Sequence, residues 1–384
     1  MDIYQEEHKI FKKSIRKFCE KEILPCVDEW EELGFFPDKL FERLGNDGFL
    51  GILIGEKWGG VGKDLSYASA WCEEIGRVPA NGLAIAINMH SLVITPTLER
   101  FGSDEAKEKF LEDAVLGKAI GAYAFTEPGA GSDLSNIQTK AVKDGDHFII
   151  NGSKTFITNG ARAKFILVLT KTDTNSGYDG FTTFVVDTSL PGFSVTRTLD
   201  KLGWHSSDTA EINFDNLKVH KSMILGKEGH GWKQAMSSLE WERLMLTLTA
   251  TAGAIKCLED TIQYCDERKA FGKKISEFAH SKKVISTSYA RLVAGRALCH
   301  RCLADLIAGK DVRVMVSVAK QSICEFVIKV ADKCLQLHGG YGYTTEFKPE
   351  RWLRDLRLNT IGGGTSEIMS QVAIKQIKKA NKLP

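Results

Sequence analysis

The sequence predicts an α+β fold with an N-terminal helical domain, a middle antiparallel β domain and a C-terminal four-helix bundle. With 384 residues the chain is longer than one hydrophobic core usually organises, and its 43% hydrophobic content can fill several cores. Apolar residues follow a helical period, then short strand-like runs, then a helical period again. We therefore expect domains at residues 1–118, 119–228 and 229–384.

Helical spacing in the first domain is clearest near its start. Phe11, Ile15, Phe18 and Cys19 recur at intervals that place them on one face of a helix. Pro25 interrupts this pattern, because proline cannot continue a helix without losing a hydrogen bond. The first helix is therefore expected to end before Pro25 and to bury this face.

The middle domain contains short runs rich in Ile, Val, Phe and Thr that are separated by Gly, Asn and Asp. Such runs are typical of an antiparallel sheet or small barrel. The expected strands are 119–126, 147–150, 154–158, 165–170, 181–187, 193–198 and 211–214. Between the second and third, Asn151 and Gly152 tolerate positive φ, which predicts a tight hairpin turn there.

Four long helices are expected in the last domain, at 232–267, 282–308, 312–338 and 366–379. A helix of thirty residues is about 45 Å long, and antiparallel packing of such helices gives a bundle that can also bury surface against a second subunit. Cys299 and Cys302 form a C-x-x-C within one helix. We interpret them as packed core thiols, since no second pair lies at zinc-ligand spacing, and we expect no metal site.

Composition and charge argue against several function classes. The 51 basic and 49 acidic residues nearly balance, so nothing predicts a nucleic-acid partner. There is no uncharged apolar run of about 18 residues that would predict a membrane span, and the acidic N-terminus is unlike a secretory signal. The nine scattered cysteines fit a reducing compartment. We expect a cytoplasmic protein, or one of the mitochondrial matrix if this is a processed eukaryotic chain.

Two clusters rich in hydroxyl groups stand out in the middle domain. The first, Y-A-F-T-E-P-G-A-G-S-D at 123–133, follows a predicted strand and contains a glycine-rich bend. The second, K-T-F-I-T-N-G, occupies 154–160. Hydroxyl and backbone N–H donors at such a bend suit a flat polar ligand. Two clusters on one small sheet would form a wall for it.

In this order the two clusters resemble the flavin-binding strands of the acyl-CoA dehydrogenase family. Further matches at 268–272 (R-K-A-F-G), 336–343 (Q-L-H-G-G-Y-G-Y) and 364–368 (G-T-S-E-I) extend the resemblance over essentially the whole chain. It implies the acyl-CoA dehydrogenase fold, an FAD cofactor and a homotetramer built as a dimer of dimers. It also implies oxidation of an acyl-CoA thioester to the trans-2-enoyl-CoA, with electrons passed to an electron-transfer flavoprotein.

The resemblance implies which residues contact FAD. Thr158 would lie near the reactive N5, and Phe156, where many relatives have Trp, would shield one face of the ring. Arg268 would reach the flavin of a neighbouring subunit, while Ala279 replaces a glutamine that usually contacts the dinucleotide. The implied set is Tyr123, Phe125, Thr126, Ser132, Phe156, Thr158, Arg268, Phe271, Gln336, Gly339, Gly340, Thr365 and Glu367.

The chemistry requires a carboxylate that removes the proton α to the thioester carbonyl. Many family members supply it from the residue before G-T-S, which here is Gly363. The isovaleryl and long-chain enzymes instead carry it on an earlier helix in a segment E-R-L, which matches Glu242 and Arg243. The resemblance thus implies Glu242 as base, Gly363 as an N–H donor to the carbonyl, and Arg243 and Ser132 as substrate contacts. A glycine at 363 is also expected to leave room beside the substrate.

Two alternatives stay open. Because Gly363 supplies no carboxylate, the chain could be a non-catalytic partner protein that binds flavin. The presence of Glu242 as an alternative base argues against this possibility. The same fold could also serve an acyl-CoA oxidase or a dehydrogenase acting on acyl groups carried by a protein. The glycine motifs look closest to long-chain members, whereas the placement of Glu242 is shared with a branched short-chain enzyme.

Overall fold

The structure is a computed structural model that describes residues 3–380, without the side chains of residues 376, 379 and 380. Helices, a sheet and further helices follow one another along the chain. The predicted α+β fold class is therefore confirmed. Residues 1–2 and 381–384, at the outer limits of the predicted domains, lie outside the described residues.

The first part of the chain is helical. Its helices are α1 (Glu6–Phe18), α2 (Val27–Leu33), α3 (Lys39–Asn46), α4 (Leu65–Ile75), α5 (Asn81–Asn88), α6 (Thr95–Phe101) and α7 (Asp104–Val115). α1 continues into a π-helical turn that ends before Pro25, and its predicted apolar residues Ile15, Phe18 and Cys19 are buried. Ser103 begins α7 by accepting a hydrogen bond from the Ala106 N–H, which satisfies one of the free amides at a helix start.

A seven-stranded sheet forms the middle of the molecule. Its strands are β1 (Gly121–Ala124), β2 (Lys140–Asp144), β3 (His147–Thr158), β4 (Phe165–Lys171), β5 (Phe181–Asp187), β6 (Phe193–Thr198) and β7 (Thr209–His220). The order is β1-β4-β2-β3-β7-β6, with β5 also paired to β4. Most pairs are antiparallel, as predicted, but β1 and β2 run parallel to β4. Parallel neighbours need a crossover connection; β2 and β3 lie between β1 and β4 in the chain, and β3 lies between β2 and β4.

The tight turn predicted at Asn151-Gly152 is wrong. β3 runs unbroken through these residues, and the chain reverses instead at Gly145, where φ is 60°. Gly152 has φ 149° and lies where the register with β7 shifts; a Cβ there would be 2.5 Å from Thr139 Oγ1. A bulge that approaches a neighbouring strand this closely needs glycine. Pairing with the twelve-residue β7 therefore overrides the local turn signal.

The last part of the chain is again helical. It consists of α8 (Gly231–Glu267), the hairpin β8 (Lys269–Ala270) and β9 (Lys273–Lys274), α9 (Ala279–Ile307), α10 (Arg313–His338), α11 (Pro349–Arg357) and α12 (Ser366–Ala380). The four long helices are those predicted, whereas α11 was not expected. Cys299 and Cys302 are buried in α9. Within residues 3–380, no helix combines the length and apolarity needed to cross a membrane.

One buried carboxylate joins all three parts of the fold. Asp355 on α11 accepts hydrogen bonds from the N–H of Asn81 (2.9 Å), which begins α5, and of Trp204 (2.6 Å), in the loop before β7. The Trp204 indole in turn donates to the Asp355 carbonyl (2.9 Å). Burial and the nearby charge of Glu31 raise the pKa of Asp355 to about 7. The loop that contains Trp204 therefore has a structural role.

Replacing Asp355 by Ala should destabilise the protein, because it leaves two buried N–H groups without an acceptor. At roughly 1–3 kcal/mol for each unpaired group, we expect D355A to lower the free energy of unfolding by about 2–6 kcal/mol. D355N keeps one acceptor oxygen, so its free energy of unfolding should fall less than that of D355A. Urea unfolding at pH 7 measures both, and equal stability of D355A and wild type would contradict the role of this residue.

The same variants should respond differently to pH. The pKa of Asp355 is raised on folding, so its ionisation opposes folding increasingly as the pH rises from about 4 to about 7. D355N cannot ionise at this position. Wild type should therefore lose stability over this pH range and D355N should not. The difference between their free energies of unfolding should shrink as the pH rises.

Candidate active site

The two hydroxyl-rich clusters meet on one side of the sheet. The first begins in β1 and continues into the bend after it, and the second lies at the end of β3. The Thr155 N–H donates to the Thr126 carbonyl (2.9 Å), which fixes the bend against β3. The rings of Tyr123 and Phe125 are in contact, with centroids 4.1 Å apart, and Ser132 is exposed farther along the bend. The predicted wall is therefore present as one surface, hereafter the hydroxyl wall (residues 123–132 and 155–158).

A buried ion pair beneath the hydroxyl wall holds its bend. Lys154 Nζ donates to Glu127 Oε1 (2.9 Å) and to the Phe125 carbonyl (3.0 Å). The other donors to Glu127 are the N–H groups of Gln138 (2.5 Å) and Thr139 (3.0 Å). Burial lowers the pKa of Lys154 to about 8, against the opposing effect of Glu127. Through Glu127, this pair connects residues 125–127, before the bend, and residues 138–139, after it, to β3.

Phe156 presents its ring outward from the hydroxyl wall. Its neighbours Thr155 and Ile157 are buried, whereas Phe156 is 67% exposed and has φ 61°. The register between β3 and β7 shifts between Lys154 and Ile157, so Phe156 is the extra residue of a bulge. A large residue in this left-handed conformation costs of order 1–3 kcal/mol, which is typical of positions that contact a ligand.

Glu242 and Gly363 border the same space, although they lie far apart in the sequence. A Cβ atom at Gly363 would be 3.8 Å from Glu242 Oε1 and 3.5 Å from Lys320 Cε. The carboxylate on α8 thus lies within van der Waals distance of the Cβ position of residue 363. Leu246 Cδ1, the end of a flexible side chain, would lie only 2.5 Å from that Cβ, and the expectation of room beside the substrate stays a prediction.

The environment of Glu242 raises its affinity for a proton. The residue is half-buried, and desolvation raises its pKa, while the charges of Arg243 and Lys320 lower it in part. The pKa of the Tyr123 hydroxyl is raised by burial and also by the charge of Glu242. The carboxylate therefore faces the hydroxyl wall, and a raised pKa suits a general base.

Two cations hold the chain around Gly363. Arg243 Nε donates to the Gly363 carbonyl (3.3 Å), and Lys320 Nζ donates to the carbonyls of Gly364 (2.6 Å) and Asn359 (3.1 Å). Gly363 and Gly364 have φ 64° and 97°, values that favour glycine. We refer to residues 359–364 as the glycine loop.

The helical N-terminal part of the chain closes the site from another side. The Trp241 indole donates to the Leu92 carbonyl (3.0 Å), which ties the turn of α8 that contains Glu242 to the π-helical segment Met89–Ile94 after α5. Asn159, in the second cluster, donates from Nδ2 to the Ala86 carbonyl (2.9 Å). All three parts of the fold therefore contribute to the surroundings of Glu242.

Thr365 and Glu367 adjoin the glycine loop. Thr365 precedes α12, and its hydroxyl accepts a hydrogen bond from the Ile368 N–H (3.3 Å). Glu367 is exposed in the first turn, and its pKa is lowered by hydrogen bonds from its own N–H and from Thr365. Both residues thus begin a helix beside the candidate base.

The remaining predicted cofactor residues lie elsewhere, at the opposite end of α8. Arg268 follows α8 with its guanidinium 5.5 Å from the centre of the Tyr341 ring. Phe271 is 96% exposed at the tip of the β8–β9 hairpin. Gln336 is exposed near the end of α10, and a Cβ at Gly339 or Gly340 would meet nothing within 4 Å. These residues form a second surface, hereafter the distal surface. From Glu242 to Arg268 the helix rises about 39 Å.

Sequence reasoning did not assign roles to Glu127, Lys154 and Lys320. Glu127 and Lys154 lie inside the two clusters. Side chains alternate between the two faces of a strand, and Lys154 falls on the same alternate positions as the buried Phe148 and Ile150 of β3, which could have predicted its burial. Lys320 follows Val316 by four residues and precedes Ile323 by three, so it occupies the buried stripe of α10. A lysine within an apolar stripe is the signal that could have identified it.

Comparison with known proteins agrees with this geometry. Residues 5–118, 122–217 and 229–378 match the N-terminal, middle and C-terminal domains of acyl-CoA dehydrogenase. The mitochondrial long-chain specific acyl-CoA dehydrogenase of Sus scrofa is 36% identical over 377 residues, covering 98% of this chain and 87% of that protein.

Solved structures share the fold over nearly the whole chain. The acyl-CoA dehydrogenase from Geobacillus kaustophilus superposes with a TM-score of 0.95 at 40% identity, covering 98% of this chain and 99% of that one. The FAD complex of PigA superposes with a TM-score of 0.94 at 26% identity, with coverage of 98% and 99%. This chain therefore belongs to the acyl-CoA dehydrogenase family and is an oxidoreductase of this class of flavoproteins.

Proposed function

We propose that this enzyme binds FAD and oxidises an acyl-CoA thioester to the trans-2-enoyl-CoA, with electrons passed to an electron-transfer flavoprotein. The observation that carries the proposal is the position of Glu242. Its carboxylate oxygen lies 3.8 Å from the Cβ position of Gly363, and it faces the hydroxyl wall. A carboxylate with a raised pKa at this place is what removal of an α-proton requires.

The residues of the hydroxyl wall fit a flavin. Thr126, Thr158 and Ser132 offer uncharged donors to the polar edge of the ring, and Phe156 offers an exposed aromatic face on a strained backbone. When bound, FAD supplies the acceptor for the hydrogen that leaves the β-carbon with its electron pair. Tyr123 and Phe125 complete this wall, and we assign Thr365 and Glu367, which adjoin the glycine loop, as further FAD contacts.

The protein's own part in the reaction is to bind, orient and move one proton. A carboxylate oxygen of Glu242 takes the α-proton, and the electron pair of that C–H bond forms the new double bond. We assign the Gly363 N–H as a donor to the thioester carbonyl, where a preorganised donor is worth roughly 3–4 kcal/mol. Ser132 and Arg243 would contact the CoA portion of the substrate.

The distal surface supports a site shared between subunits. Arg268 lies about 39 Å along α8 from Glu242, farther than one cofactor at Glu242 would reach. We therefore propose that Arg268, Phe271, Gln336, Gly339 and Gly340 contact the FAD of a neighbouring subunit in a homotetramer, a dimer of dimers. A guanidinium is suited to pair with pyrophosphate, and the 96% exposed Phe271 would be covered in such an assembly.

We place the reaction in a reducing compartment, the cytoplasm or the mitochondrial matrix. All nine cysteines lie within the described residues as free thiols, eight of them buried. Secreted proteins more often pair their cysteines as disulfides.

Anaerobic mixing with acyl-CoAs tests the proposal. Short, medium, long and branched acyl-CoAs are added to the purified yellow enzyme, and the flavin absorbance is followed. At least one should bleach the flavin, and electron-transfer flavoprotein should then restore the colour. Inertness towards all of them would contradict dehydrogenation and favour a non-catalytic flavin protein. Rapid reoxidation by oxygen with product bound would indicate an oxidase, and bleaching only by a carrier-protein thioester would indicate the carrier-linked reaction.

A further inference from the structure

Lys320 is a buried cation beside the candidate base. It lies on α10 and is 1% exposed, and its ammonium donates to the carbonyls of Asn359 (3.1 Å) and Gly364 (2.6 Å). Among residues 3–380, no carboxylate lies within ion-pair distance of it. Burying an ammonium without a carboxylate partner is costly. The presence of Lys320 at this position therefore calls for an explanation beyond packing.

The geometry connects Lys320 to Glu242 through the glycine loop. Lys320 Cε and Glu242 Oε1 lie 3.5 Å and 3.8 Å from the same point, the Cβ position of Gly363. Arg243 binds the Gly363 carbonyl and Lys320 binds the next carbonyl, that of Gly364. Two consecutive peptide groups are thus each held through their oxygen by a cation.

We propose that Lys320 is a positioning residue: it anchors the glycine loop so that Gly363 faces Glu242, and its charge keeps the Glu242 carboxylate ionised for proton removal. This inference deepens the proposed function and rests on it. A peptide group whose carbonyl is held cannot rotate freely. The held peptide groups carry the N–H groups of Gly364 and Thr365, and the peptide group with the Gly363 N–H directly precedes them. Anchoring its neighbour therefore restricts where the Gly363 N–H lies relative to the base, as proximity effects in catalysis require.

The charged groups around Glu242 can be named from each element that packs on it. Tyr123 lies near Glu242 from β1, Arg243 from the same helix and Lys320 from α10. Cys324 on α10 influences the charge of Lys320, and Glu240 on α8 influences that of Arg243. Desolvation raises the pKa of Glu242, and only Arg243 and Lys320 oppose it. Without Lys320, Glu242 would hold its proton up to a higher pH. A protonated Glu242 cannot accept the α-proton.

Three substitutions separate the two roles of Lys320. K320Q keeps a hydrogen-bond donor for the loop but removes the charge, whereas K320M removes both. K320R keeps both the charge and the donors. K201M is the matched control, because Lys201 also donates to a backbone carbonyl, that of Ser207 (2.7 Å), but lies in the sheet domain.

The pH titration of Glu242 is the decisive measurement. Difference infrared spectroscopy of the FAD-loaded enzymes, with E242Q subtracted to assign the carboxyl band, follows this titration without turnover. We expect K320Q and K320M to titrate at higher pH than wild type, and K320R and K201M to match wild type. The acidic limb of kcat/KM should move in the same direction, and kcat of K320M should fall roughly tenfold below that of K320Q because the loop is loosened.

The outcomes distinguish this inference from the proposed function. Unchanged Glu242 titration in K320Q and K320M would overturn the role of Lys320, even if the wild type bleaches with acyl-CoA. If K320M fails to fold, K320Q decides the question of charge. A wild-type enzyme inert towards every thioester would instead overturn the proposed function.

Discussion

Replacing Glu242 by Gln should reduce dehydrogenation by several orders of magnitude while FAD stays bound. Glutamine has nearly the same shape, so the packing around Leu246 and the glycine loop is retained. It cannot accept a proton, and loss of a general base reduces rates by about 10²–10⁴-fold. We expect a loss near the upper end of this range, because the carboxylate oxygen of Glu242 lies only 3.8 Å from the Cβ position of Gly363. The measurement is the rate of anaerobic flavin bleaching by the best acyl-CoA.

E240Q is the matched control for this experiment. Glu240 lies two residues earlier on α8, about 200° around the helix from Glu242, and should face elsewhere. E240Q should therefore bleach at close to the wild-type rate. Normal bleaching by E242Q would remove Glu242 as the base, whereas equal losses in both variants would indicate a general effect of charge on α8.

The wild-type pH profile should carry the signature of the same group. The pKa of Glu242 is raised by burial, so kcat/KM should decline on the acidic side at a pH above that of an ordinary glutamate. This limb should be absent from the residual activity of E242Q.

Much of the fold was predictable because long periodic segments dominate it. The extents of α8, α10 and α12 follow from apolar spacing over several turns. β2 and the full length of β7 were not predicted, because their existence depends on pairing with β3 and not on local preference. For the same reason Asn151-Gly152 became a bulge and not a turn.

The candidate site was predictable in part. The resemblance identified Glu242 and Gly363 as alternatives for one role, but only the three-dimensional structure brings them to the same space. The close approach of Leu246 to the Cβ position of Gly363 could not be foreseen, since it depends on the packing of α8 against the glycine loop. Nor could spacing reveal that Lys320 binds two carbonyls of this loop, because the contacts join different elements.

Replacing Lys154 by Met should yield a less stable protein that purifies without flavin. The substitution keeps most of the side-chain volume but leaves the buried Glu127 carboxylate without its cation and the Phe125 carbonyl without a donor. Breaking one side of a buried ion pair typically costs about 3–5 kcal/mol. The bend of the hydroxyl wall would lose the connection to β3 through Lys154 and keep that from the Thr155 N–H to the Thr126 carbonyl. Flavin absorbance per protein and the midpoint of thermal unfolding measure both effects.

The double variant K154M/E127Q separates an unpaired charge from loss of the pair. Removing both charges eliminates the buried lone carboxylate, so the double variant should be more stable than K154M alone. K218M is the surface control, since Lys218 on β7 only faces Asp144 at 3.5 Å in solvent and should contribute at most about 1 kcal/mol. If K154M bound flavin and melted like K218M, the ion pair could not be what shapes the bend. The double variant has no unpaired buried charge, but its Phe125 carbonyl still lacks the donor that Lys154 supplied. If K154M loses flavin and the double variant recovers only part of the stability, the remaining defect therefore lies in the bend itself.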